Sequence, residues 1–288
     1  MRTSVVAIVN GKGGCGKTAC TSNLAVIWAD QGHRVLAIDL DAQGNLAIDL
    51  GVEDTDAGLA FSLAAQGGTP VEPIREVRPG LDVVAGGART DQLAAALGVQ
   101  AHRNPGDAIR QVVDTLHQVA VGYELTVIDT APAGALLEDA ALVGADWIVV
   151  PTKPDDKSLL GLSRVSQRLV ALADQGLPTG HLAGVVLFAI PISATRIRDQ
   201  ARAELQQAFG HQAVVFEAII RGSERAAIDQ SRHGLVAIEY AQAATTSGGH
   251  HQRSGFAAGA TSLADDYEAL ADEILTRINA RTGADATG

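Results

Sequence analysis

The stretch Asn10–Cys20, NGKGGCGKTAC, decides the fold, because its reading fixes what lies on either side of it. Gly11, Gly16, Lys17 and Thr18 fit the phosphate-loop pattern G-x-x-x-x-G-K-[ST]. Such a loop needs a strand before it and a helix after it. Val5 to Val9 is a short β-branched run that reads as a buried strand, and Leu24, Ile27 and Trp28 recur at helical spacing between Lys17 and Gln31, with Gly32 as a stop. Glycines let backbone N–H groups converge on an anion, and the helix that follows adds the positive end of its dipole. Lys17 then reaches the β- and γ-phosphates, and the Thr18 hydroxyl faces Mg²⁺. Lys12 is not required by the pattern, and it poses a separate question.

Working outward, RVLAIDLDAQG gives a second strand, Val35 to Leu40, with Asp39 and Asp41 at its carboxyl end. In YELTVIDTAPAG, Leu125 to Ile128 reads as a strand ending at Asp129, and ADWIVVPTKP and LAGVVLFAI are two more hydrophobic strands. LDVVAGG reads as a short strand, and helical patterns cover Pro105–Val119, Ser158–Ala173 and Thr195–Phe209. Ala213–Phe216 reads as a short strand, and ERAAIDQSRHG as a short helix closed by Gly234. Leu263, Tyr267, Leu270, Ile274 and Ile278 share one face of a last helix; Asp265, Asp266 and Glu268 in its first turns and Arg277 and Arg281 in its last match the helix dipole. Strands alternating with helices predict an α/β fold, a doubly wound, mainly parallel sheet flanked by helices. No repeat or domain boundary is visible, so residues 1–288 read as a single domain, with 243–260 as a mobile surface loop.

Composition narrows the function. The chain has 288 residues, 47% hydrophobic and only 3% aromatic, so its apolar mass is aliphatic, as buried parallel sheets require. A formal net charge of -11 argues against a protein that coats nucleic acid with its whole surface, and leaves room for a local basic face. The two cysteines, Cys15 and Cys20, flank the phosphate loop and form neither a disulfide framework nor a zinc site. No signal sequence or spanning stretch stands out, which predicts a cytoplasmic protein.

The block GKGGCGKT resembles the deviant Walker A box of the ParA/MinD family of ATPases, usually KGGVGKTT. The resemblance implies that Lys12 crosses a dimer interface to the phosphates held by the other subunit, so that hydrolysis of ATP depends on dimerisation. It also implies a nucleotide site of Gly11, Lys12, Gly13, Gly14, Cys15, Gly16, Lys17, Thr18 and Ala19. RVLAIDLDAQGN is similar to the family's second motif, which implies that Asp41 orients the attacking water and Asp39 supports the Mg²⁺ shell with Thr18. YELTVIDTAPAG looks like its Walker B strand, which makes Asp129 an outer partner of Mg²⁺. ADWIVVPTKP and AIIRGSERAAIDQSRHG resemble two later blocks, the last of them bordering the adenine, where Arg221 stands. Cys15, Ala19, Ala42, Thr130, Ala131 and the run Ile220, Arg221, Gly222 depart from the family pattern. The departure at Cys15 puts a thiol at a helix N-terminus, where an acidic, oxidisable sulfur is expected.

Within the family, the acidic C-terminal helix does not suit a membrane-bound branch, the absence of other cysteines excludes cluster-carrying electron transfer, and no helix-turn-helix precedes the first strand. The resemblance therefore points to a short ParA type: a bacterial, nucleoid-associated homodimer formed on ATP, which binds DNA without sequence preference and is released by a ParB-like centromere-binding partner. Candidate DNA contacts are Arg196, Arg198, Arg202, Arg225 and Arg232, with Lys157, Arg164 and Arg168 as a second group. Interleaved acids leave a mixed solvated surface equally open for the first group. Positioning of a protein cargo and a nucleotide switch with negligible hydrolysis are the two alternatives.

Overall fold

Val5, Ala7 and Val9 face one side of the first strand and Val6 and Ile8 the other, and all five are buried. A strand apolar on both faces belongs inside a parallel sheet covered by helices on both sides. The structure, a computed structural model, describes residues 3–53, 58–101, 104–131, 135–154, 156–191, 199–203, 205, 215–223, 228, 232–246 and 254–285. Its strands are β1 (Ser4–Ile8), β2 (Val35–Asp39), β3 (Ile74–Arg78), β4 (Leu81–Val84), β5 (Leu125–Asp129), β6 (Trp147–Thr152), β7 (His181–Ile190) and β8 (Val215–Arg221). Among the described residues the helices are α1 (Lys17–Asp30), α2 (Asn45–Asp49), α3 (Leu59–Ala65), α4 (Ala88–Ala101), α5 (Pro105–Ala120), α6 (Ala135–Gly144), α7 (Asp156–Asp174), α8 (Ala237–Thr246) and α9 (Ser254–Asp285).

The eight strands form one sheet in the order β3-β4-β2-β5-β1-β6-β7-β8. Every pairing is parallel except β3 with β4 at one edge. One face packs on Leu24 and Trp28 of α1, Tyr240 of α8, and Tyr267, Leu270 and Ile274 of α9. The other packs on Phe61, Leu93, Ile109, Leu137 and Leu162, from α3 to α7. The expected doubly wound sheet is present, with its helices on both faces.

Several elements differ from their sequence reading. The stretch 243–260 is not a loop throughout: α8 runs to Thr246, α9 begins at Ser254, and only 247–253 lie outside the described residues. Alanines at 241, 243 and 244 favour helix, and α8 and α9 pack on each other, which overrides the Gly and Ser content. Because α9 starts so early, Asp265, Asp266 and Glu268 lie in mid-helix and not in a first turn. Their work is different. The Asp266 carboxylate accepts the backbone N–H of Arg221 at 2.9 Å, and Glu273 accepts those of Glu217 and Ala218 at 2.9 and 3.1 Å. Acidic side chains of α9 thereby cover donors of β8, the exposed edge of the sheet. That also explains why β8 continues past Phe216 to Arg221, where the sequence suggested a shorter strand.

Candidate nucleotide-binding site

Asp129 at the end of β5 lies in register with Ile8 on β1 and with Asp39 on β2, so three carboxyl-terminal strand ends meet at one point of the sheet. The phosphate loop leaves β1 there and enters α1 through Gly16, whose φ is 94°. Only glycine suits this position, because φ is positive and the Phe188 ring occupies the space of a Cβ.

Lys17 is buried, and its Nζ donates to the carbonyls of Asn10 at 3.0 Å and Lys12 at 3.2 Å. Asn10 anchors the loop in turn. Its Nδ2 donates to the Pro151 carbonyl at 2.7 Å, and its Oδ1 accepts the Lys12 N–H at 3.0 Å. Sequence reasoning assigned Asn10 no role, because the Pro151 carbonyl that gives it one lies far away in the chain. Gly13 and Gly14 are exposed, and Gly11 and Lys12 are half-buried at the loop's rim. Cys15 is buried, its Sγ donating to the Lys12 carbonyl at 3.1 Å. Burial pushes this thiol up, against the pull of Lys17, so the acidic sulfur expected at a helix N-terminus is not found.

The three strand-end aspartates have distinct surroundings. Asp129 is fully buried; burial pushes its carboxyl up to about 7, while a hydrogen bond from Thr18 and the charge of Lys17 hold it lower. Its Oδ1 accepts the Thr130 N–H at 3.0 Å, whereas its Oδ2 is buried without a partner. Asp39 accepts backbone N–H groups on both oxygens, from Asp41 at 2.8 Å and from Leu46 in the first turn of α2 at 3.2 Å. Burial, then the neighbouring charge of Asp129, drives its carboxyl well up. Asp41 accepts the Gln43 N–H on Oδ1 at 2.9 Å, and its carbonyl takes those of Gly44 and Gly87. Gly86 seals this corner: a Cβ there would lie 2.6 Å from the Asp41 carbonyl and 2.8 Å from Asp39 Oδ1.

Two cavities open here. A cleft of about 480 Å³ is lined by Gly13, Gly16, Lys17, Thr18 and Asp41. An adjoining pocket of about 330 Å³ is more apolar, lined by Ile220, Leu235, Leu263 and Tyr267 among others. Ala19, Asp49 and Phe188 line both. Arg221, expected beside a base, also lines the pocket, yet its Nε and Nη2 are held by Asp266 at 2.6 and 2.7 Å. Its guanidinium is committed to α9.

The basic candidates fare unevenly. Arg202 donates to Glu217 at 2.7 Å and to the carbonyls of Phe216 and Glu217, so it ties down β8 and is not a bare surface cation. Arg168 pairs with Asp139, Arg164 approaches Gly11, and Arg232 is exposed. Arg196, Arg198 and Arg225 lie outside the described residues, and Lys157 falls within α7. No helix among the described residues is long and apolar enough to cross a membrane.

A glycine-rich loop between a central parallel strand and its helix, with acidic ends on the neighbouring strands, defines a P-loop nucleotide-hydrolase fold. A family model described as an AAA domain matches residues 3–178. The chromosome partitioning protein ParA of Caulobacter vibrioides is 30% identical over 220 residues, 75% of this chain and 79% of its own length. The chromosome-partitioning ATPase Soj of Thermus thermophilus is 29% identical over 273 residues, 95% of this chain and 96% of its own. The chain belongs to the ParA family of ATPases. Among solved structures, a Cyanothece McdA–ATP complex shares the fold with a TM-score of 0.78 at 20% identity, covering 95% of this chain and 96% of that one.

Proposed function

We propose that this protein is an ATP- and Mg²⁺-dependent ATPase that dimerises on ATP, binds DNA without sequence preference, and positions a chromosome or plasmid together with a centromere-binding partner protein. The observation that carries the reading is the division of labour between two lysines of one loop: Lys17 is buried against its own loop's carbonyls, while Lys12, five residues earlier, is only half-buried. A cation at the rim serves a phosphate presented by a second subunit, where it offsets charge that grows as the γ-phosphoryl departs.

The residues present fit both ligands. Gly13, Gly14 and Gly16 to Ala19 line the cleft for the phosphates, and the apolar pocket beyond Phe188 takes the base. The unpartnered Asp129 Oδ2 and the Thr18 hydroxyl beside it are the oxygen donors that a hard cation requires. Mg²⁺ held there would supply positive charge against the phosphates. Lys17 holds the phosphates in line, Asp41 accepts a proton from and orients the attacking water, and Asp39 fixes the turn that carries Asp41.

A second reading, positioning of a protein cargo without direct DNA contact, is favoured by one observation: Arg202 and Arg168 are spent on internal ion pairs. Light scattering with ATP or ADP, run beside a DNA-retention assay, separates the two. An ATP dimer that retains DNA supports the first reading, and a competent ATP dimer that retains none supports the second. A protein that stays monomeric with ATP overturns both.

A further inference from the structure

Asp49 is a carboxylate that costs the fold something and gives it nothing in return. It lies at the C-terminal end of the short helix α2, where the helix dipole disfavours negative charge. Burial pushes its carboxyl up to about 6, and among the described residues no hydrogen bond or cation offsets that. The charged groups that line the same two cavities are otherwise engaged: Lys17 on loop carbonyls and Arg221 on Asp266. Lys153 also lines the apolar pocket and forms no ion pair with Asp49 among the described residues, and Asp41, in the cleft, is itself a carboxylate. The charge of Asp49 reaches the buried Tyr267 phenol across the pocket and helps keep it protonated.

Its position says what it is for. Among the described residues that line the phosphate cleft, only Ala19, Asp49 and Phe188 also line the apolar pocket, so Asp49 marks the junction between them. Resting on the nucleotide reading above, the junction is where the sugar lies, between phosphates on the loop and a base in the pocket. A carboxylate repels phosphates and gains nothing from an apolar ring face. The one nucleotide group that rewards it there is a vicinal diol, whose two hydroxyls donate to its two oxygens, as acidic residues do for ribose in dinucleotide folds. We propose that Asp49 reads the ribose 2′- and 3′-hydroxyls and makes this protein select ribonucleotides over deoxyribonucleotides. Its place is fixed from behind, where Gly51, just past α2, abuts the backbone of Gly234.

The test is equilibrium binding of ATP, 2′-deoxy-ATP, 3′-deoxy-ATP and purine riboside triphosphate, which lacks the 6-amino group, to the wild type, Asp49→Asn and Asp49→Ala. The wild type should bind ATP about tenfold more tightly than either deoxy analogue, the usual worth of a hydrogen bond to a charged group. Both variants should bind ATP only as well as the wild type binds the deoxy analogues, with discrimination below about twofold, and ligand-free Asp49→Asn should melt higher than the wild type. Equal wild-type affinity for ATP and both deoxy analogues overturns the assignment, as does discrimination only against the purine riboside. Variants that melt lower and lose every nucleotide alike also overturn it, since the role would then be structural. A wild type that binds no nucleotide overturns the reading of the cleft itself.

Discussion

Lys17 and Lys12 differ in what their loss should do. Lys17→Ala removes a buried amine from two carbonyls, which should cost about 1–3 kcal/mol of stability and abolish ATP binding. Lys12→Ala should fold and bind ATP as a monomer but lose the ATP-dependent dimer and turnover; an unchanged dimer with normal turnover would reduce Lys12 to a surface charge. Asp41→Asn is the sharper probe of the water-orienting role, because Asn keeps an oxygen for the Gln43 N–H while removing the charge. It should bind ATP and dimerise normally with turnover lost, and normal turnover in that variant would remove Asp41 from the mechanism. At this scale, Lys17, Thr18 and Asp129 were legible because a phosphate loop and an acidic strand end leave spacing signals. Asn10 and Asp49 were not. Asn10 acts through Pro151, far away in the chain, and Asp49 matters only because two cavities meet at it.

Elements place these side chains, and α2 is the most exposed to a small change. Asp39 accepts the Leu46 N–H at the start of α2, and Gly86 leaves no room at that corner. Gly86→Ala would push a methyl against the Asp41 carbonyl and Asp39, so it should lower stability in urea by about 1–3 kcal/mol and weaken nucleotide binding; a wild-type midpoint would show that the corner can relax. Helix α6 offers a test by pH. Burial, then Asp139, pushes Glu138 up to about 7. A carboxyl raised in this way contributes stability that is present below its unfolded value, near 4.5, and lost as pH rises through about 7. Glu138→Gln should therefore gain on the wild type between those limits and hold that gain at higher pH, as thermal melts would show; a constant offset across the range would count against it. The sequence hid α6 because ALLEDAALVG is too evenly apolar to show a period, and it hid β3 because IREVR is an edge strand with little to bury.

The order of the sheet could be anticipated only as parallel and doubly wound, since strand neighbours are set by contacts that no local pattern records. The long reach of α9 along the β8 edge was likewise invisible, because its acidic residues looked like dipole partners until Asp266 and Glu273 met backbone donors. That contact bears on how the whole molecule could meet DNA. With a net charge of -11, and with Arg168, Arg202 and Arg221 paired to Asp139, Glu217 and Asp266, one copy has little positive charge to offer. Arg232 is exposed, and Arg196, Arg198 and Arg225 belong to the same third of the sequence, so a dimer would carry two sets of these cations to offset repulsion from the rest of the surface. Binding to unrelated duplexes should therefore be similar in affinity, nearly vanish with ADP, and weaken steeply with salt as counterions are released. Arg232→Glu should spare the ATP-dependent dimer, weaken binding to all duplexes alike, and lower the slope of log affinity against log salt by about one per subunit. An unchanged slope would take Arg232 out of the contact. Tight binding to a single operator, or binding indifferent to nucleotide, would mean that the dimer does not assemble the basic surface.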